Sequence, residues 1–389
     1  MSATRLYYLF SALIGLGLGA TVTVYVPFLL AIGLTLSQVA LVNALFWAIL
    51  IAFELPTGLF ADGRSRAFSL AAGAAFHALG GLAYLCAVGF WSAAFAEGLI
   101  AVGMAFLSGA QQAWIADALS REGRDGELRR VYANEAIIRA GLFLIGGLIG
   151  VLIALLSYRL IWLPVVVTSL GAVVLCRVRM NGQGEPLERV GEREAFARSW
   201  ARLRQSRALI WVVGAMVLFG TVVSFNHFWA PYFETQVGTL GLSWVWAVIY
   251  VAYSAAGYRV RHLTIPQGTE GGYIALALLL CGVSLASFAL GSGITLALSA
   301  LFVHEVGRGM FQPLTDSFVQ HRVQSAYRAT FGSLASLIGR AGFAVVPLFV
   351  WIGIDGRPDT TETIVAVWLV CGLVLALGAG VFYLLRPRE

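Results

Sequence analysis

The sequence predicts an all-α integral membrane protein with twelve transmembrane helices in two six-helix bundles. Three observations predict it: apolar runs recur at bilayer-crossing length, charge is scarce, and arginine is confined to alternate connections. Apolar residues make up 59% of the 389 and charged residues only 12%, and the mean hydropathy is +0.83. A soluble domain carries roughly 25% charged residues because its surface faces water. Here there is more apolar side chain than one soluble core can hide, so much of the exterior faces lipid.

A spanning helix needs about 20 residues. Runs of that order lie near 6–31, 36–60, 68–89, 92–117, 131–156 and 160–177, and again near 208–232, 241–258, 271–290, 293–316, 327–351 and 363–385. The first starts after Arg5 and continues past Pro27, too long for the apolar core of a cleaved signal. The eighth is short and interrupted by Tyr250, Tyr253 and Tyr258. The one long polar interval, 177 to 207, holds eight Arg and four Glu. Within it Phe196, Trp200 and Leu203 recur at helical spacing, which predicts an amphipathic helix on the cytoplasmic membrane surface. The expected organisation is an N-terminal six-helix bundle over 1–178, a cytoplasmic linker with that helix over 179–207, and a C-terminal six-helix bundle over 208–389.

All 26 basic residues are Arg. With the N-terminus inside, the cytoplasmic segments collect Arg5, Arg64, Arg66, Arg121, Arg124, Arg129, Arg130, the eight of the linker, Arg259, Arg261, Arg322, Arg328, Arg386 and Arg388. The opposite face has only Arg159 and Arg357, while Arg139, Arg308 and Arg340 fall within helices. This asymmetry puts both termini in the cytoplasm and supports an even number of crossings. The net charge of +6 therefore belongs to loops facing an anionic membrane surface, and no nucleic-acid partner is expected. Cys86, Cys176, Cys281 and Cys371 lie in or beside apolar runs without CxxC or Cys/His ligand spacing, so no metal is expected. No phosphate-binding loop, dinucleotide fingerprint, HExxH or serine elbow occurs, which argues against an enzyme, an ATP-driven pump or a bound cofactor.

From Glu54 to Leu70 the sequence reads ELPTGLFADGRSRAFSL. Gly58, Asp62 and Arg66 resemble the loop 2–3 signature of the major facilitator superfamily, with Ser65 in place of the usual Gly and Arg64 as a displaced basic residue. ELPTG, SGAQQAWIADAL at 108–119 and YRATFGSL at 327–334 resemble a branch of bacterial drug and metabolite exporters. The resemblance implies that superfamily's fold, a bacterial inner-membrane location, a small organic substrate, protons as coupling ion and a monomer. It also implies a conformational latch, for which Gly58, Asp62, Arg64, Arg66, Asp117 and Asp316 are the candidates. Three departures stand out. The second-half loop GYRVRHLTIPQ lacks the Gly-xxx-Asp element, GLFLIGGLIG at 141–150 lacks the Pro of proton antiporters, and the Arg-rich signature of the fourth helix is missing.

Charges inside a bilayer are expensive and mark function or pairing. Glu305 and Arg308 share one face of the tenth helix, either as a substrate or coupling site or as a self-satisfied pair. Glu54, beside Pro56, reads as a helix–helix contact or a proton carrier. Glu135 and Arg139 sit one turn apart and form a structural network or meet an anionic substrate group. Glu97, with Gln111 and Gln112, makes the fourth helix partly polar, and Arg340 is the candidate in the eleventh. Asn226 and His227 are candidates on the seventh, among Phe225, Phe228, Trp229, Tyr232 and Phe233, which read as an aromatic pocket or an outer-interface belt. Asn43, His77 and Glu234 are further candidates. The spacing from Asp117 to Arg139 resembles that from Asp316 to Arg340, a faint internal repeat.

The function expected is secondary active transport of a small organic solute by alternating access, with proton-coupled export first. Proton-coupled or facilitative import and a non-transport receptor or assembly factor are the alternatives. On a cysteine-free background, Glu122→Cys and Glu192→Cys should both react with an impermeant maleimide only from the cytoplasmic side, and Arg357→Cys only from the other. Labelling of the first two from opposite faces would overturn the topology.

Overall fold

Hydrocarbon offers no water to backbone N–H and C=O groups, so a spanning segment must satisfy them internally. The computed structural model meets this with helices, and no strand occurs among the described residues. Outside the description lie Arg64, Gly109, 183–191, Thr264, Gln267, Ser292, 324–327 and 388–389, together with the side chains at 55, 58–63, 125, 129, 192–196, 198, 261, 320, 328–330 and 333.

The first crossing is α1 (Ala3–Val22), continued by the short α2 (Tyr25–Ala31). Next come α3 (Leu36–Gly63) and α4 (Arg66–Leu85). The fourth crossing is two helices, α5 (Gly89–Leu107) and α6 (Ala110–Arg121), followed by α7 (Leu128–Ala154) and α8 (Trp162–Leu175). The linker contains α9 (Glu192–Gln205). Then follow α10 (Arg207–Phe219), α11 (Val223–Arg261), α12 (Glu270–Ser287), α13 (Ile294–Arg322), α14 (Arg328–Ile354) and α15 (Thr361–Leu384).

Eleven stretches among the described residues are long and apolar enough to span. One of them, Arg207–Val260, has 54 residues. As one straight helix it would be about 80 Å long, far more than a bilayer. Gly238 interrupts it at φ 69° and ψ 171°, a backbone geometry that favours glycine, and so separates the seventh crossing from the eighth. The crossings therefore number twelve, as the apolar runs predict.

The chain forms two compact units, Met1–Val190 with Phe233–Trp246, and Gly191–Tyr232 with Ala247–Glu389. Inside the first, α1 packs on α7 and α8, α4 on α5 and α8, and α3 on α5. Inside the second, α10 packs on α14, and α12 on α13 and α15. Crossings 1–5, 3–4 and 3–6 thus correspond to 7–11, 9–10 and 9–12, a pattern repeated in chain order.

Lipid is as apolar as leucine, so close packing rather than exclusion from water holds these helices together. A Cβ on Gly150 of α7 would lie 1.9 Å from the Ala20 carbonyl oxygen of α1. In the second unit a Cβ on Gly342 of α14 would lie 2.1 Å from the Val217 oxygen of α10. The outer faces instead carry exposed Leu79, Phe95, Leu152, Val167 and Leu377.

In α9 Leu203 is buried and Trp200 is 44% exposed, while the Phe196 side chain lies outside the description. The α11 aromatics, read from sequence as a substrate pocket or an outer-interface belt, are buried. Phe225 and Tyr232 are buried against Phe288 and Trp368, with ring centroids 4.9 to 6.1 Å apart. The Trp368 indole N–H donates to the Ser224 carbonyl at 3.1 Å. Interior packing of the second unit consumes these rings.

Gly150→Val and Gly342→Val should each lower the thermal unfolding midpoint in detergent, since overpacking costs about 1–3 kcal/mol or more. Gly141→Ala, where nothing lies within 4 Å, should leave it unchanged.

Candidate functional site

The polar residues of the first unit gather at several places. At Ser108 (φ −62°, ψ 130°) the helix leaves α5 before α6 begins, inside a predicted spanning run. Such a break frees carbonyls of the preceding turn. Thr57 Oγ1 of α3 donates to one of them, the Ala105 oxygen, at 3.0 Å, and Ser108 Oγ lies 3.4 Å from Glu54 Oε1. Glu54, half-buried two residues before Pro56, therefore stands beside a discontinuous helix, the kind of place where membrane transporters form polar sites. Beyond the break Gln111 is half-buried and Gln112 exposed, the latter's carbonyl accepting from Tyr132 Oη of α7 at 3.0 Å.

Toward one end of the same unit, Arg66 at the start of α4 forms an ion pair with Asp117 near the end of α6. Both are mostly buried, at 15% and 19% side-chain exposure. Of the other latch candidates, Arg64 and the side chains of Gly58 and Asp62 lie outside the described residues. The adjoining turn is stapled by Arg124, whose guanidinium bonds Glu127 twice at 2.8 Å and also reaches Glu122. Those bonds hold the Glu127 carboxyl below the usual carboxylate range and raise Arg124.

Toward the other end, buried Glu97 of α5 accepts a hydrogen bond from Tyr84 Oη of α4. Tyr84 Oη lies 3.2 Å from Tyr25 Oη, and the Tyr84 ring stacks on Trp162 at 4.0 Å. Phe28 closes this aromatic box edge-on at 5.6 Å from Tyr84. On α7, buried Glu135 accepts from Ser11 Oγ of α1 and from Arg139 Nε at 3.0 Å. Arg139 leaves 60% of its side chain exposed, so the pair combines an anchored carboxylate with an outward guanidinium. Glu234 is half-buried and accepts from Tyr158 Oη and, at 2.6 Å, from Thr239 Oγ1. Asn43 donates to the Val39 carbonyl at 2.9 Å, and His77 is buried where α4 meets Gly103 of α5.

In the second unit Glu305 of α13 is completely buried, and Arg308 Nη1 donates to its Oε1 at 2.8 Å. Among the described residues its Oε2, also buried, has no hydrogen-bond partner. Arg308 keeps 22% of its side chain exposed and lies over the Tyr253 ring, 5.4 Å from the centroid. The neighbouring His304 turns to Ser284 Oγ at 3.3 Å and the Phe225 ring at 4.4 Å. Chemically this is a carboxylate with one oxygen committed and one open to a proton or a donor group. Arg340 is half-buried on α14, Asn226 half-buried on α11, and His227 buried edge-on to Phe228.

Asp316 is exposed and accepts from Gln312 Nε2 at 2.8 Å. The ion pair occupying the place of Arg66–Asp117 in this unit is one sequence reading did not name. Glu270 at the start of α12 meets Arg322 at the end of α13 at 3.2 Å. The two helix pairs correspond, but the signs are exchanged between them. Arg322 also covers the Phe318 ring at 3.7 Å, and its carbonyl accepts from Arg202 of α9 at 3.4 Å. Tyr84, Tyr25 and Ser11 were missed as well. Their only sequence signal is a polar group inside an apolar run.

Solved structures share this architecture. The nucleoside transporter NupG superimposes with a TM-score of 0.80 at 13% identity, over 99% of each chain. A bacterial homolog of the human lysosomal transporter Spinster, inward-facing and unoccupied, gives 0.73 at 13% identity over 98% of this chain and 96% of that one. A peptide transporter, POT, in complex with sulfate gives 0.70 at 15% identity over 99% and 96%. At these identities the likeness speaks for the fold alone. No curated protein matches the sequence. Residues 7–347 match the family profile described as Major Facilitator Superfamily. With that match over most of its length and the same fold in its structural neighbours, the chain belongs to the Major Facilitator Superfamily, a multi-pass membrane transporter of small solutes rather than an enzyme.

Proposed function

We propose that this transporter exports a small organic solute across the bacterial inner membrane in exchange for protons, working as a monomer by alternating access with both termini in the cytoplasm. The observation that carries the coupling is Glu305, a fully buried carboxylate with one oxygen on Arg308 and a second buried oxygen without a hydrogen-bond partner among the described residues. An ionised carboxylate so placed is costly, and binding a proton relieves the cost. Arg308 then has a partner in one protonation state and a freed guanidinium in the other, which a substrate acceptor group can engage. Glu54 and Glu97 are the next carboxylates in order. Export rests on the resemblance of ELPTG, SGAQQAWIADAL and YRATFGSL to exporter sequences. The Arg66–Asp117 pair is the latch we assign to the first bundle of residues 1–178, with Gly58, Asp62 and Arg64 as its further candidates and Asp316 in the bundle of 208–389.

Substrate is best found by thermal stabilisation of the purified protein across a panel of small organic solutes. In proteoliposomes an interior-acid gradient should drive accumulation of the labelled hit, because antiport exchanges outgoing protons for incoming solute. Accumulation under an interior-alkaline gradient instead would make the carrier a symporter. Glu305→Gln should reduce gradient-driven accumulation to background while counterflow at equal pH persists; unaltered pH dependence in that variant removes Glu305 from coupling.

Arg308→Gln leaves Glu305 buried without its cation and should destabilise the protein by about 3–5 kcal/mol. Adding Glu305→Gln to it should restore most of that loss in a thermal melt. Additive losses in the double variant would mean that the two residues do not act as a pair.

A further inference from the structure

One groove of the second unit is lined by residues of its α12 and α15 ends and includes neither Glu305 nor Arg308. It has a volume of about 820 Å³ and runs between the beginning of α12 and the end of α15. Small residues open it, among them Gly268, Gly272, Ala379 and Gly380. A Cβ on Gly380 would meet nothing within 4 Å. Its deep wall is Leu276 and Leu279, both exposed.

Length and polarity are both graded along it. From Thr269 to Leu279 the wall rises about 15 Å along the helix axis. That is about half of a 30 Å hydrocarbon core, the depth of one leaflet. The deep end is apolar, whereas the mouth holds Tyr383 and Arg386. Arg386 folds over the Tyr383 ring, its Cζ 3.7 Å from the centroid, and donates to the Tyr383 carbonyl. Among the described residues no carboxylate pairs with it. The acid next to the mouth, Glu270, faces Arg322 at 3.2 Å and is neutralised there. The mouth therefore presents a net cation and an interfacial tyrosine above a one-leaflet apolar slot.

We propose that this groove binds one anionic phospholipid, its phosphate and headgroup on Arg386 and an acyl chain along Gly272, Leu276, Leu279 and Ala379. A guanidinium offers several N–H donors suited to phosphate, and only one is spent on Tyr383. The site stands independently of the transport mechanism.

The test is native mass spectrometry of the full chain in detergent, titrated with phosphatidylglycerol or with phosphatidylcholine of identical acyl chains. One basic residue near a membrane surface favours anionic lipid by about fivefold. Wild-type protein should hold phosphatidylglycerol by about that factor more tightly, Arg386→Gln should abolish the preference, and Arg357→Gln on the opposite face should keep it. Gly380→Leu, which fills the slot, should weaken retention of both lipids. Equal binding of the two lipids by wild type overturns the proposal. So does an undiminished preference in Arg386→Gln, a surface change that reads the site even where Gly380→Leu does not fold. Unaltered retention by a folded Gly380→Leu protein overturns the placement of the chain in this groove.

Discussion

The structure depends on what a bilayer withholds. Without water, every backbone polar group must find a partner within the protein, and every ionised side chain must be paired, protonated or turned toward a polar path. Helix is the local answer to the first demand. The second explains why the acids in spanning segments stand beside specific donors: Glu135 beside Ser11 and Arg139, Glu97 beside Tyr84, Glu305 beside Arg308. The packing that holds these partners in place comes from backbone contact at residues such as Gly150 and Gly342, because lipid supplies no hydrophobic drive between helices.

Within that common solution the three carboxylates differ in kind. Glu97 is enclosed by aromatic faces and a phenol, Glu135 is anchored while its arginine reaches outward, and Glu305 is sealed with one oxygen unspent. Among the described residues, the last is the one of the three with a buried acceptor oxygen that has no hydrogen-bond partner.

Much of the architecture was legible because it is written in one dimension. Run length needs no partner to be read, and it located the crossings to within a few residues, including the pair joined at Gly238. The helix of the linker was legible from the helical spacing of Phe196, Trp200 and Leu203. What the sequence concealed was adjacency. Nothing near Glu97 announces Tyr84, and nothing near Arg322 announces Glu270, since each contact joins separate helices. The break at Ser108 was hidden because apolar character continues across it, and the burial of the α11 aromatics was hidden because hydropathy does not distinguish lipid from a protein interior. The latch residues Gly58, Asp62 and Arg64 were named from resemblance, and of that signature the structure describes Arg66 in its pair with Asp117.

The exchanged signs at the ends of the two helix pairs bear on assembly. The halves repeat one packing pattern, so each helix of one half has a near-equivalent counterpart in the other. Docking α4 against the end of α13 would set Arg66 against Arg322, and docking α12 against α6 would set Glu270 against Asp117. Both mistakes bring like charges together at low dielectric, whereas both correct pairings are attractive. The mirrored arrangement thus gives each helix a means of telling its own half from the copy, and a chimera that transplanted only one member of either pair would forfeit it.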